Sequence, residues 1–298
     1  MNRSLKAKKR ILASRLSNAR STNNERQLEK ALQAYFKRLE KRVQHNLQVY
    51  WNDNLVVGQV NYITEPITNT HEEYYEILEK YILREYGLGA REAERLVRNL
   101  NPNRVANKSI TQGVMLKKIY DLFGTLPGAE EDLLTKVFIA SEMTLARVDK
   151  SIMDIITTGY KEGKGINYVA QQITERFQQL RSWESKRIAR TEIHNAHNRA
   201  TMDTYQEYGV EYTMWITAGD RRVRGLKKKD KANHVKLDGE IIRLGDTYSN
   251  GLRYPGDTEG PIEEWINCRC SNAPYVIAYG YVAPPQQRFK ETDLIKIR

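Results

Sequence analysis

The sequence lacks the features of membrane-spanning and exported proteins. No apolar run approaches the roughly 18 residues that are needed to cross a bilayer. The N-terminal segment MNRSLKAKKRILASRL is basic and amphipathic, and it has no apolar core of the kind found in secretory signals. We therefore expect neither a membrane-spanning segment nor an export signal.

The sequence also lacks the common motifs of nucleotide-dependent enzymes and of metalloproteases. It has neither a Walker-type glycine-rich loop nor a GxGxxG motif, so no nucleotide cofactor is expected. His194 and His197 lie three residues apart, whereas a metalloprotease helix places its two histidines four apart and adds a general-base Glu. These absences exclude the commonest routes to a cofactor-dependent or proteolytic enzyme.

Cysteine is scarce, since the chain has only Cys268 and Cys270. Two cysteines separated by one residue do not form a disulfide framework. A ring that joined them would be small and strained, so reduced thiols in a reducing compartment are expected.

Positive charge is abundant and unevenly placed. The chain has a net charge of +11, and residues 1–50 contain 13 Lys or Arg against 3 Asp or Glu, a difference of +10. A second basic segment, RRVRGLKKKDK at 221–231, has Asp230 as its only acid. Such segments supply salt-sensitive affinity for phosphate without reading base sequence. The alternative for residues 1–50 is a solvated helix face, and the alternative for 221–231 is a solvated, mobile loop. The predicted DNA-binding residues are Lys6, Lys8, Lys9, Arg10, Arg15, Arg221, Arg222, Arg224, Lys227, Lys228 and Lys229.

The first 180 residues have the pattern of helices joined by short loops. In residues 24–51 apolar side chains recur at steps of three and four, which predicts an amphipathic helix. Its apolar stripe, which must be covered by later helices or by another chain, comprises Leu28, Leu32, Phe36, Leu39, Val43, Leu47 and Tyr50. Residues 52–67 are expected to interrupt the helices. Further helices are predicted at 71–86, 89–99, 108–123 and 129–158, and the first of these is expected to end at Gly87. Another helix is predicted to begin at Ile166, and a last one to run from a cap at Ser182 to Tyr208.

The pattern changes after Gly209. VEYTMWIT alternates between apolar and polar residues, which predicts a strand at 210–217. HVKLDGEIIRL resembles two strands joined by a tight turn at Asp238-Gly239, and SNAPYVIAYGYV suggests a final strand. The predicted fold class is therefore α+β, with a long, mostly helical N-terminal region followed by a small α+β C-terminal domain.

The segment from Arg187 to Cys270 holds the densest set of chemically active residue types. Arg187, Thr191, His194 and Asn198 are spaced to share one helix face. Such a face could bind phosphate or orient a catalytic group. Hydrogen bonding to the loops that follow is the preferred interpretation, because a polar helix face alone is weak evidence for a site.

Four residues are candidate zinc ligands: Asp220, His234, Cys268 and Cys270. Their types suit tetrahedral coordination, but Cys-x-Cys is tighter than the usual Cys-x2-Cys. The alternatives are two small buried thiols in a tight turn, or a cysteine nucleophile paired with His234 and with Asp220 or Asp238. No cofactor is expected, and zinc is the one alternative that these residues leave open.

Together these residues resemble a known family. In order they are RIARTE, Trp215 with TAGD, His234 with LDG, YPGD, and INCRC ending at Cys270. The set is similar to the phage head morphogenesis family, the minor capsid proteins of the Mu F and SPP1 gene-7 type, over about residues 185–275. The Lys-rich GLKKKDKAN between Arg224 and His234 departs from the family's shorter and less basic link.

The resemblance implies a minor head protein of a tailed bacteriophage, inside the virion head and in the host cytoplasm during assembly. It implies portal protein, major capsid or scaffolding protein and double-stranded DNA as partners, and roles in procapsid assembly and in handling packaged or ejected DNA. No catalytic residue follows from it, so a non-enzymatic role is expected. A zinc-dependent hydrolase acting on DNA or the cell wall is the alternative.

The sequence and the resemblance together predict four parts. They are a basic amphipathic helical arm at 1–52, a helical region at 53–181, a Mu F-like α+β domain at 182–283 and a polar C-terminal tail at 284–298.

Overall fold

The computed structural model describes residues 3–52, 55, 57–100 and 129–297. The helix predicted at 108–123 lies outside these residues. The larger helices are α1 (Arg3–Tyr50), α2 (Val57–Asn69), α3 (His71–Leu100), α4 (Ala129–Lys161), α5 (Ile166–Gln179) and α6 (Ser185–Glu207), with a π-helical turn at Leu180–Glu184. Two single-turn helices, α7 (His234–Leu237) and α8 (Ile262–Trp265), lie among the strands.

Six short strands follow α6, and they confirm the α+β fold class. They are β1 (Tyr212–Ile216), β2 (Ile241–Arg243), β3 (Ser271–Tyr275), β4 (Tyr281–Val282), β5 (Arg288–Phe289) and β6 (Ile295–Lys296). One antiparallel sheet has the order β3-β1-β2-β5, and β4 pairs with β6 in a second. The segment predicted as a polar tail thus supplies one strand to each sheet.

The described residues divide into two compact units. The helical unit contains those of Glu25–Ile82 and Glu130–Ala189, and the mixed unit contains those of Met1–Asn24, Leu83–Ala129 and Arg190–Arg298.

The helical unit is built on the apolar stripe of α1. Its side chains from Leu28 to Leu47 are almost fully buried, and only Tyr50 at the end is half-buried. The ring of Tyr35 lies 5.1 Å from that of Tyr74 on α3, and Gln44 donates to the Ala170 carbonyl of α5 at 2.8 Å. Later helices of the same chain therefore cover the stripe, which was one of the two predicted possibilities.

The predicted interruption at 52–67 is wrong, because Val57–Asn69 forms α2 with Pro66 inside it. Proline has no N–H to donate to the carbonyl four residues earlier. The Asn46 side chain donates to that carbonyl, on Tyr62, at 2.8 Å. A side chain of α1 thus supplies the missing hydrogen bond.

The predicted helix end at Gly87 is also wrong, since α3 continues through Gly87 and Gly89. A glycine inside a helix costs only about 1 kcal/mol relative to alanine, so packing can override it. A Cβ atom on Gly89 would lie 2.7 Å from the carbonyl oxygen of His197 on α6. This glycine therefore permits close approach of two helices within the mixed unit.

Two further local predictions differ from the structure. Ser182 does not begin a helix, because the π-helical turn leads directly into α6 and the Ser182 hydroxyl donates to the Gln179 carbonyl at 3.2 Å. The hairpin predicted at Asp238-Gly239 does not form, because the described residues of its first strand are helical, as α7. Asn233 caps this helix by accepting a hydrogen bond from the Lys236 N–H. The predicted strand at 210–217 is confirmed as β1.

Strand β1 places side chains into an apolar cluster on each sheet face, as strand alternation requires. Met214 and Tyr212 pack with Ile241 and Phe289, whereas Trp215 packs on the opposite side. That second cluster comprises Trp215, Leu237, Ile242, Tyr248, Leu252, Cys268 and Cys270. The two cysteines and the indole thus share a water-poor environment.

Candidate metal centre

The polar face of α6 packs against the turn that precedes β3. The Thr191 hydroxyl accepts from the Asn267 N–H at 2.9 Å, and the Asn198 amide donates to the Cys270 carbonyl at 3.0 Å. The His194 Nε2 contacts the same carbonyl, so this nitrogen carries the proton and donates it. The preferred interpretation, a helix face hydrogen-bonded to following loops, is confirmed for these three residues.

Arg187, the first residue of the predicted face, belongs to the helical unit. Its guanidinium lies 4.7 Å from the ring centre of Trp183 and 4.0 Å from a carboxylate oxygen of Glu184. Burial lowers the pKa of Arg187 despite this acidic neighbour.

The backbone of Asn267 adopts a left-handed conformation, with φ at 54°. Asparagine tolerates this region better than most residues do. Arg190 donates to the Asn267 side-chain oxygen at 3.1 Å, while the Asn267 N–H bonds to Thr191. Helix α6 therefore fixes the turn that presents both cysteines.

The structure brings together three of the four candidate zinc ligands. The His234 Nδ1 lies 3.6 Å from the Cys268 Sγ and 3.4 Å from the Cys270 Sγ. All three potential ligand atoms lie within 4.8 Å of one another, and the side chains are buried. This is an imidazole and two thiols around one point, a donor set suited to a soft or borderline metal ion.

Glu264 fixes the orientation of the His234 ring. Its Oε2 lies 3.0 Å from the His234 Nε2, and the Asn250 amide donates to the same oxygen at 2.9 Å. A carboxylate accepts hydrogen bonds, so Nε2 carries the proton and the Nδ1 lone pair faces the two sulfurs. The His234 ring also meets the Trp215 ring edge-on, at 5.3 Å between centres.

The two thiols have opposite tendencies to ionise. The hydrogen bond from Cys270 holds the pKa of Cys268 well below its usual range despite burial. The same hydrogen bond and burial raise the pKa of Cys270, although the Trp215 indole and the Ala218 amide partly offset this. The Cys270 N–H also points to the Cys268 sulfur at 3.4 Å. The geometry thus favours one thiolate at Cys268.

Asp220, the fourth candidate, is engaged elsewhere. Its carboxylate forms a two-point ion pair with the Arg269 guanidinium, at 2.6 Å for the Nη2–Oδ1 contact, and it accepts from the Arg222 N–H at 2.9 Å. These bonds hold the pKa of Asp220 well below its usual range, with the Arg269 hydrogen bond as the largest cause.

Asp238, named in the nucleophile alternative, accepts from the Thr217 N–H and hydroxyl, each at 2.9 Å. The carboxylate that does bond to the histidine is Glu264, which the sequence reasoning missed. Its place in EEWINCRC, four residues before Cys268, was the available indication.

In the basic loop at 221–231, some side chains hydrogen-bond to the protein backbone and others are exposed to solvent. Arg224 is half-buried and its guanidinium donates to the backbone carbonyl of Ile266, so it supports the turn before Cys268. The Asp230 carboxylate accepts from the N–H groups of Gly225 and Lys227 at 2.9 and 3.1 Å and closes the loop. The side chains that this loop exposes are those of Arg221, Arg222, Leu226, Lys227, Lys228, Lys229 and Lys231.

Residues 150–273 match the family model described as Phage Mu protein F like protein. The match supports the resemblance to the phage head morphogenesis family that the motifs suggested. The match begins before the resemblance that the motifs suggested, and it includes α6, the basic loop and the His234–Cys268–Cys270 cluster. Searches of curated proteins and of solved structures found no match.

The Mu F-like match supports a bacteriophage head morphogenesis protein, and it points to a place in the virion and to capsid-related partners. Among the residues that the structure describes, no helix is both long and apolar enough to cross a membrane.

Proposed function

We propose that this protein is a portal-associated minor head protein that acts in procapsid assembly and in handling packaged or ejected DNA. The observation that carries the proposal is the Mu F-like match over residues 150–273. In this role the protein is inside the head of the virion and passes through the host cytoplasm during assembly. Its direct partners are the portal protein and a major capsid or scaffolding protein.

The role that we propose is structural rather than catalytic. Buried hydrogen bonds between α6 and the turn at 267–270 give the Mu F-like region a fixed shape, as a docking module needs. The apolar stripe of α1 is covered within the chain, so docking on the assembly uses another surface.

Non-specific contact with double-stranded DNA is the second part of the proposal. Residues 1–50 hold nearly all the excess positive charge, and the basic loop exposes Lys227, Lys228 and Lys229. Lysines on a surface loop neutralise phosphates and release counterions without reading bases. Arg224 is excluded from this contact set because its guanidinium bonds to the backbone.

Salt dependence of DNA binding tests this contact. Deleting residues 1–20 is expected to weaken binding and to flatten the slope of log K against log salt by about 0.9 for each lost phosphate contact. Changing Lys227, Lys228 and Lys229 to Gln is expected to reduce the slope further, by up to about 3. Both are measured by fluorescence anisotropy on duplex DNA of unrelated sequences.

A charge-matched control separates DNA contact through the two basic segments from a general effect of the protein's net charge. Lys161, Lys164 and Lys186 are exposed and lie outside both basic segments. Changing these three to Gln removes the same charge and should leave the slope unchanged. A slope that stays at the wild-type value after both the deletion and the loop changes contradicts the DNA contact.

A further inference from the structure

We propose that the His234 Nδ1 and the sulfurs of Cys268 and Cys270 bind one zinc ion, which joins α7 to the turn before β3. This site is independent of the DNA contact and of portal association. It differs from the four-ligand set expected from the sequence, because Asp220 is not a ligand.

The distances match those of zinc coordination. Tetrahedral zinc with bonds of about 2.3 Å to sulfur and about 2.0 Å to nitrogen separates those ligand atoms by about 3.5 Å. The observed separations of the His234 Nδ1 from the two sulfurs are 3.6 and 3.4 Å. All three ligand atoms lie within 4.8 Å of one another, close enough to surround one ion.

The groups around the ligands match those of known metal sites. A metal-bound histidine usually donates its other ring N–H to a carboxylate, and Glu264 occupies that position on His234. The Asn250 amide in turn holds Glu264. This arrangement leaves the Nδ1 lone pair directed at the two sulfurs, as ligation requires.

Donors also surround the sulfurs. The Cys270 N–H points to the Cys268 Sγ at 3.4 Å, and N–H groups stabilise a thiolate. The Trp215 indole N–H is buried, and the Cys270 sulfur is the acceptor beside it. A metal-bound Cys270 thiolate would be a better acceptor for this N–H than a neutral thiol.

The donor set favours zinc, and the burial favours a structural site. Two thiolates and an imidazole are soft or borderline ligands that bind zinc in preference to magnesium or calcium. His234, Cys268 and Cys270 are 1, 3 and 3% exposed, which leaves little access for a substrate. No fourth His, Cys, Asp or Glu of the described chain joins this cluster, so the proposed ion has three protein ligands.

Metal content of the full-length protein is the direct test. Protein purified under reducing conditions with zinc supplied is expected to contain about one zinc per chain by mass spectrometry of the element, since structural zinc binds tightly. Cobalt exchanged into the site should give thiolate-to-cobalt charge-transfer bands and the visible bands of tetrahedral cobalt.

Single variants distinguish the ligands from their surroundings. Cys268→Ser and Cys270→Ser should each lose the metal, whereas Asp220→Asn should retain it at the wild-type stoichiometry. Glu264→Gln should weaken zinc binding about 10- to 100-fold in a chelator competition, because it acts through His234.

The proposal is overturned if the folded wild-type protein takes up neither zinc nor cobalt. It is also overturned if the cobalt spectrum lacks thiolate bands, or if folded Cys268→Ser and Cys270→Ser variants keep the metal. Should those variants fail to fold, the cobalt spectrum of the wild type alone decides the question.

Discussion

The helical unit and the turn at 267–270 of the mixed unit are held in place by different means. In the helical unit, long helices bury continuous apolar stripes, such as the one from Leu28 to Leu47. In the mixed unit, the turn at 267–270 is held by polar contacts with residues of α6 that lie more than 70 positions earlier, at Thr191 and Asn198. The first kind of stability is spread over many side chains, and the second depends on a few.

The largest expected effect comes from the apolar core of the helical unit. Phe36 is fully buried beside Tyr35 and Tyr74, with ring centres 5.2 and 6.0 Å away. Phe36→Ala should lower the free energy of unfolding by about 3–5 kcal/mol, measured by urea denaturation. Val49, on the same helix, is 57% exposed, so Val49→Ala should change it by less than about 0.5 kcal/mol.

A pH-dependent effect is expected in the mixed unit from Glu192 of α6. Burial raises the pKa of this carboxyl from 4.5 to about 7. The folded state therefore holds its proton more tightly, and the resulting stability, complete below about pH 4.5, is lost as pH rises through about 7.

Glu192→Gln removes that loss. It should raise the free energy of unfolding at pH 8 by up to about 3 kcal/mol and should have little effect at pH 4. Urea denaturation at the two pH values measures the difference. An equal effect at both values would contradict the assignment.

A smaller effect is expected from the polar contacts at the turn. Asn198→Ala removes one of two buried donors to the Cys270 carbonyl and should lower the free energy of unfolding by about 1–1.5 kcal/mol, because His194 still donates to it. Gln206→Ala, at an exposed position of the same helix, is the control and should be nearly neutral. A neutral Asn198→Ala would show that polar contacts do not distinguish the mixed unit.

The smallest effect concerns Pro66 in the helical unit. Asn46→Ala leaves the Tyr62 carbonyl without the side-chain donor that replaces the proline N–H, which should cost about 0.5–1.5 kcal/mol. In the Pro66→Ala variant the backbone N–H at this position can donate to the Tyr62 carbonyl. Adding Asn46→Ala to that variant should therefore lower the free energy of unfolding much less. A double-mutant cycle by thermal unfolding measures this coupling, and a coupling of zero would refute it.

Features whose pattern lies within one segment could be predicted from the sequence. The stripe of α1 is local, because its period lies within one segment, and the strand at β1 is visible for the same reason. The continuation of α2 through Pro66 depends on Asn46, twenty positions earlier, which no local pattern contains.

The candidate site divides in the same way. The residue types alone indicated His234, Cys268 and Cys270 as candidate zinc ligands. They could not show that Asp220 pairs with Arg269 instead, because that contact depends on tertiary packing. The bond between His234 and Glu264 joins residues 30 positions apart and required the structure. The α7 helix arose where a strand was predicted, because the single Asn233 cap outweighed a β-prone composition.

Association with the portal tests the proposed role most directly. The full-length chain and the portal protein of the same phage would be co-expressed, and the portal ring would be isolated by its own tag and sized by gel filtration. The proposed function predicts that the chain elutes with the ring at physiological salt, and that the Lys227, Lys228 and Lys229 to Gln variant does so too. A folded chain that binds neither the portal nor the capsid protein would contradict the proposed function.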